Sequence, residues 1–173
     1  MTATSDRIFL DFSVRKLTQL TDRIGDCLGL LSGEQVWARG GESENAVGNL
    51  VLHLCGNVRQ WIVSGVGGRP DIRRRDEEFA ARGEIQPDEL RRRLDATVAE
   101  AVAVIEAVTP QRLLETVTPQ GYQVTVLEAI YHVVEHFAQH TGQIIYATKM
   151  LTGRDLGYYR HLSRPVERAD ETP

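Results

Sequence analysis

The chain has 173 residues, of which 42% are hydrophobic and 25% charged, with a formal net charge of −4. That length suits one domain with a core of its own, and no apolar run approaches the roughly 20 residues needed to cross a bilayer. The basic residues do not gather into a long stripe, so the electrostatic footprint of a nucleic-acid binder is missing.

The N-terminus, "MTATSDRIFLDFSVRK", carries acids and begins at once on an amphipathic pattern, unlike a signal peptide, so a cytoplasmic location is expected. In a reducing compartment Cys27 and Cys55 are expected to be buried thiols rather than a disulfide. Residues 5–31 place Ile8, Leu10, Leu17, Leu20, Ile24 and Leu28 on an apolar stripe with helical spacing, which predicts helix 1. Glycines at 33, 40 and 41 break the pattern. Ser43 can then cap helix 2, expected from about Glu44 to Ser64.

Residues 66–86 hold three glycines, a proline and the run "RPDIRRRDEEFAARGE", whose charges offset one another and read as a solvated surface. A connection this long can travel the length of a bundle. Pro87, with Asp88 and Glu89 behind it, opens helix 3, which Thr109 and Pro110 end. Residues 109–124 carry two prolines and a glycine and are expected to hold one extra turn or a short extended piece. Thr125 and Glu128 form a T-x-x-E capping box at the start of helix 4, and Gly153 stops it after about Leu151. The fold class is therefore all-α: a four-helix bundle, up-down-down-up, with a long crossover between helices 2 and 3. The bundle is expected over residues 1–162, with 163–173 as a flexible tail.

Helix 4 contains "VVEHFAQHTGQI". Positions four apart on a helix differ by about 40° and rise about 6 Å, so His136 and His140 project side by side and can share one divalent ion. Alone, that spacing is weak evidence. In "NLVLHLCGNVRQW", His53 lies near the middle of helix 2 on its apolar side, and antiparallel helices 2 and 4 would bring it level with the pair. His132 drifts a further 40° or so around the axis and is expected beside the ion or at the pocket rim, although it could replace His140 if helix 4 were rotated. Cys55 and Glu135 point away from the histidine face, Glu128 is explained by its cap, and His161 is expected to be exposed in the tail. Three neutral nitrogen donors without a protein carboxylate would leave a coordination position for water or substrate. Asn57, one turn beyond His53, and Gln143, three residues after His140, are candidates for the substrate pocket or for orienting an imidazole. Gln139 could do the same for His136, or lie on a solvated edge. Tyr122 and Trp61 read as core or rim.

These two segments resemble those of the DinB-like (YfiT-type) metalloenzymes, and the likeness runs from helix 1 to about Tyr159. It implies a homodimeric four-helix bundle binding a divalent metal, nickel or zinc, with His53, His136 and His140 at the ligand positions. The common family ending H-H-R-G-Q reads Q-H-T-G-Q here, with Gln139 and Thr141 at the changed places. Some relatives are S-transferases that use a low-molecular-weight thiol such as bacillithiol or mycothiol, and one related bundle is a mycothiol-dependent isomerase. Three functions are thus in view: a metal-dependent thiol S-transferase, favoured because a soft thiolate suits a three-imidazole zinc or nickel centre; a metal-dependent hydrolase, which needs a proton shuttle; and a non-catalytic metal-binding bundle acting in stress response. The expected partner is a small-molecule substrate, with no nucleic acid or membrane.

Overall fold

In the computed structural model, residues 4–163 are described; the proposed tail and the side chain of His161 lie outside the described residues. Four long helices make the bundle: α1 (Ser5–Leu30), α3 (Val47–Val58), α5 (Pro87–Glu106) and α6 (Val126–Thr152). Short helices α2 (Gly33–Val36) and α4 (Arg75–Ala80) lie in the connections. Each long helix buries residues three or four apart, as in the series Val126, Ala129, Ile130, Val133, Phe137, Thr141, Ile144 and Thr148 of α6. The Thr141 and Thr148 hydroxyls satisfy themselves by donating to the carbonyls of Phe137 and Ile144, both at 2.8 Å, so their burial leaves no unpaired group.

α1 packs against α5 and α6, and α3 packs against the same two helices. Directions follow from side-chain pairs. Arg7 and Asp22 of α1 meet Glu106 and Arg91 of α5, which is antiparallel. Arg59, just beyond α3, meets Glu100, and Gly67 lies against Val104, so α3 and α5 run the same way. His53 faces His136 while Trp61 faces His132, so α3 and α6 are antiparallel. The up-down-down-up order follows, with residues 67–86 as the crossover.

Several local expectations are corrected. α3 begins at Val47, not Glu44: Asn49 Oδ1 accepts from the Ala46 N–H at 3.2 Å, while Glu44 accepts from Gly40 N–H and Ser43 makes no cap. α2 was not foreseen, although Ser32 and Gln35 form a capping box there. Residues 109–125 hold both kinds of structure, with short 3-10 turns and a two-residue antiparallel pairing of β1 (Thr116–Val117) and β2 (Val124–Thr125). The Thr125 and Glu128 box is formed, and Gly153 ends α6 at φ 66°, a left-handed position suited to glycine.

α3 continues without a break into a π-helical segment, Arg59–Val66. The Gly67 N–H reaches back five residues to Ile62 O at 2.8 Å. A Cβ on Gly67 would lie 2.6 Å from Val63 O, so the wide turn ends on a residue without a side chain. The segment buries Trp61, Ile62 and Val63 in succession, which a regular α-helix would not do on one face. Cys27 is buried and Cys55 only partly so; both are free thiols.

Candidate metal centre

Three imidazoles converge where α3 and α6 cross. His53 Nε2 is 3.2 Å from His136 Nε2, which is 3.1 Å from His140 Nε2, and ligand atoms of all three fall within 4.8 Å of one another. Four-residue spacing on α6 stacks His136 and His140 on one face, with the rings nearly perpendicular at 83°. The buried positions Val133, Phe137 and Thr141 hold that face against the core. His53 is carried by α3 between the buried Leu50 and Leu54 and is itself buried.

The donor set fits a divalent ion. Three corners of a tetrahedron with Zn–N bonds of about 2.0 to 2.1 Å are about 3.3 to 3.4 Å apart. Three facial positions of an octahedron with similar bonds are about 3.0 Å apart. The His53–His136 and His136–His140 separations lie between these values, a spacing that one divalent ion can bridge. His140 Nδ1 sits 2.7 Å from Gln143 Oε1, and an amide oxygen can only accept, so Nδ1 carries the proton and the Nε2 lone pair faces the common point.

Electrostatics favour neutral rings on α6. Burial first, then the positive charge that neighbouring histidines and Arg73 would present, pushes His136 down to about 3. Burial likewise lowers His140, partly offset by the bond to Gln143, and lowers His132. Neutral imidazole is the form that binds a metal.

His132 stacks on His136 with centroids 5.7 Å apart and on Trp61 at 4.0 Å, and it is outside the group whose ligand atoms converge. Tyr122 stacks on the outer side of Trp61 and is exposed, whereas Trp61 is buried and donates to Gln120 Oε1 at 3.3 Å. Asn57 is buried one turn beyond His53, and among the described residues neither its Oδ1 nor the buried His136 Nδ1 has a partner. Gln139 and Glu135 are exposed. Burial raises Cys55 to about 12, so it stays a thiol.

The crossover supplies what sequence reasoning missed. Its charge run is not all solvated: Glu78 of α4 is buried, and the Arg73 side chain is 4% exposed. Arg73 donates to Glu78 Oε1 from Nε and to Oε2 from Nη2, both at 2.8 Å, and to Gln60 Oε1 from Nη1 at 2.9 Å. Burial alone would raise the Glu78 carboxyl, but the bonds from Arg73 and His53 outweigh it and hold it below the usual range. Glu78 Oε2 lies 3.1 Å from His53 Nδ1, and Arg73 Nη2 lies 3.1 Å from the same nitrogen. α4 is held in place by Asn49, whose amide donates to the carbonyls of Glu78, Phe79 and Ala81, and by Phe79, whose ring lies 4.9 Å from that of His53. The one local signal was Gly56, where a Cβ would lie 1.9 Å from Glu78 Oε1.

The sequence matches the protein family described as protein of unknown function (DUF1572) over residues 5–167. The chain belongs to that family. Solved structures place its bundle among DinB-like folds. A conserved protein from Enterococcus faecalis superposes with a TM-score of 0.68 at 16% identity, covering 83% of this chain and 97% of that one. A DinB-like protein from Bacillus subtilis gives 0.65 at 16% identity, covering 85% and 96%. A mutant of the mycothiol-dependent maleylpyruvate isomerase gives 0.61 at 16% identity, covering 82% and 67%. At such identity the likeness is one of fold. No match to this DUF1572 sequence is found among curated proteins.

Proposed function

We propose that this DUF1572 protein is a metal-dependent enzyme that uses a low-molecular-weight thiol, of the bacillithiol or mycothiol type, in S-transfer to an electrophilic small molecule in the cytoplasm. The observation that carries the metal is the convergence of His53, His136 and His140, with His136 Nε2 3.2 Å from His53 Nε2 and 3.1 Å from His140 Nε2, and ligand atoms of all three within 4.8 Å. A hydrogen bond can join two such nitrogens, but a cation meets all three at once. The likeness in fold to a mycothiol-dependent enzyme is what points to a thiol.

When bound, the divalent ion supplies Lewis acidity that favours the thiolate form of a thiol brought to it. The protein does the rest. Gln143 holds the His140 ring in the orientation that turns Nε2 inward. His132, neutral and half-buried beside Trp61, takes the proton that the thiol releases. Trp61 and Tyr122 form an aromatic wall on that side.

Hydrolysis is the lesser reading. Glu78, the carboxylate that touches the site, lies on the Nδ1 side of His53, away from where water would meet the ion, and so is badly placed to activate it. A purely structural metal is also disfavoured, because such sites are closed by four protein ligands and three histidines leave a position open.

The test uses tag-free protein loaded with nickel or zinc, mixed with bacillithiol or mycothiol and a panel of alkyl halides, epoxides and activated alkenes. Loss of free thiol beyond the uncatalysed rate, abolished by a chelator, is expected. Metal-loaded protein that consumes no thiol with any electrophile would overturn the transferase assignment.

A further inference from the structure

His53 Nδ1 is contested. Two groups approach it at the same 3.1 Å: Glu78 Oε2, which can only accept a hydrogen bond, and Arg73 Nη2, which can only donate one. The two contacts demand opposite tautomers. A proton on Nδ1 satisfies Glu78 and leaves Nε2 as a lone pair facing His136. A bare Nδ1 accepts from Arg73 and puts the proton on Nε2, where it would block a metal.

We propose that Glu78 is the positioning residue that makes His53 a ligand, by accepting the hydrogen bond of Nδ1–H and so holding Nε2 as a lone pair. This rests on the metal site proposed above. Geometry favours Glu78 over Arg73 in the contest. Arg73 spends Nε, Nη1 and one Nη2 proton on Glu78 and Gln60, at 2.8 to 2.9 Å. Its second Nη2–H diverges by about 120° from the one aimed at Oε2, so it points well away from Nδ1, which closes a triangle of 2.8, 3.1 and 3.1 Å with Nη2 and Oε2. Glu78 Oε2 has a second lone pair free for His53. A metal-ligating histidine commonly gives its other N–H to a carboxylate in this way, and removing that partner commonly costs 10 to 100-fold in affinity.

The pair is built into the fold at two separate points. Gly56, on α3 three residues beyond His53, leaves the space that Glu78 fills, since a Cβ there would lie 1.9 Å from Oε1 and 2.9 Å from Arg73 Nε. Asn49, four residues before His53, clamps the α4 backbone at Glu78 O by a 2.9 Å bond. α3 thus supplies the ligand, the room for the carboxylate and the clamp that seats it. Metal occupancy and the docking of the crossover become linked, because each favours the same His53 tautomer.

Two measurements decide this. The first is the His53 tautomer in chelator-treated wild-type protein, by long-range nitrogen–proton NMR at about pH 8, where an ordinary imidazole is neutral. A proton on Nδ1 is expected, moving to Nε2 in Glu78→Gln. A proton on Nε2 in the wild type would overturn the proposal. The second is zinc affinity by competition with a chromophoric chelator, for wild type, Glu78→Gln and Gly56→Ala. Both variants are expected to bind about 10 to 100-fold more weakly, and amide exchange over residues 73–81 is expected to slow on zinc binding in the wild type alone. Affinity within twofold of wild type in a folded Glu78→Gln would also overturn it. If the wild type itself binds no zinc, the metal reading fails, while the tautomer measurement still judges Glu78.

Discussion

The imidazole of His132 rests on the indole of Trp61, with ring centroids 4.0 Å apart and 36° between the planes. That contact occupies one face of His132 and holds it on the aromatic side of the site, while His140, four residues beyond His136, turns toward His53 with centroids 5.1 Å apart. His132→Ala should therefore retain bound metal, whereas His53→Ala, His136→Ala and His140→Ala should each lose most of it. Elemental analysis of tag-free protein separates these outcomes. Undiminished metal in His140→Ala would hand the third ligand position to His132.

Metal removal should lower stability by a predictable amount. A ligand that binds only the folded state contributes about 2.7 kcal/mol when present at 100 times its Kd. Adding zinc to chelator-treated protein at that excess should raise the melting temperature by several degrees. The three single-histidine variants should show no such rise in differential scanning fluorimetry.

Acid should destabilise the metal-free protein before it titrates most carboxylates. His136 has a folded pKa lowered, by burial above all, to about 3, against about 6.5 in an unfolded chain. Between those values the unfolded chain holds a proton at this position and the folded chain does not, so stability falls as pH drops from about 6.5. Melting temperature of chelator-treated protein across pH 7 to 4 should decline, and His136→Gln should flatten the slope.

Phe137 is fully buried between the two histidines of α6 and keeps their face turned to α3. Phe137→Ala should cost about 3 to 5 kcal/mol, the range for emptying a buried phenylalanine site. Urea unfolding measures that loss. Metal affinity should fall as well, because the same helix face sets both His136 and His140.

A dimer is expected in solution. α6 exposes Tyr131, Tyr146 and Met150, and neighbouring α1 exposes Ile8 and Phe12, large apolar side chains that a second copy could cover. Sedimentation velocity should give twice the chain mass. Tyr146→Glu with Met150→Glu should give the monomer.

Much of this was legible along the chain because it depends on local periodicity. Helix spacing, the Thr125 and Glu128 cap, the Gly153 stop and the pairing of His136 with His140 all follow from 3.6 residues per turn and short-range hydrogen bonding. The length of the crossover also implied the direction of the third long helix. Other features needed the fold. Three charged or polar residues of the crossover and the π-helical segment, Arg73, Glu78 and Gln60, are ordinary surface types in sequence; they meet only because α4 docks on α3 at a gap left by Gly56. The contest between Glu78 and Arg73 for His53 involves partners 25 and 20 residues away in sequence. No periodicity encodes such a meeting, since a hydrogen bond depends on atoms brought within about 3 Å, and here only the packed crossover brings them there.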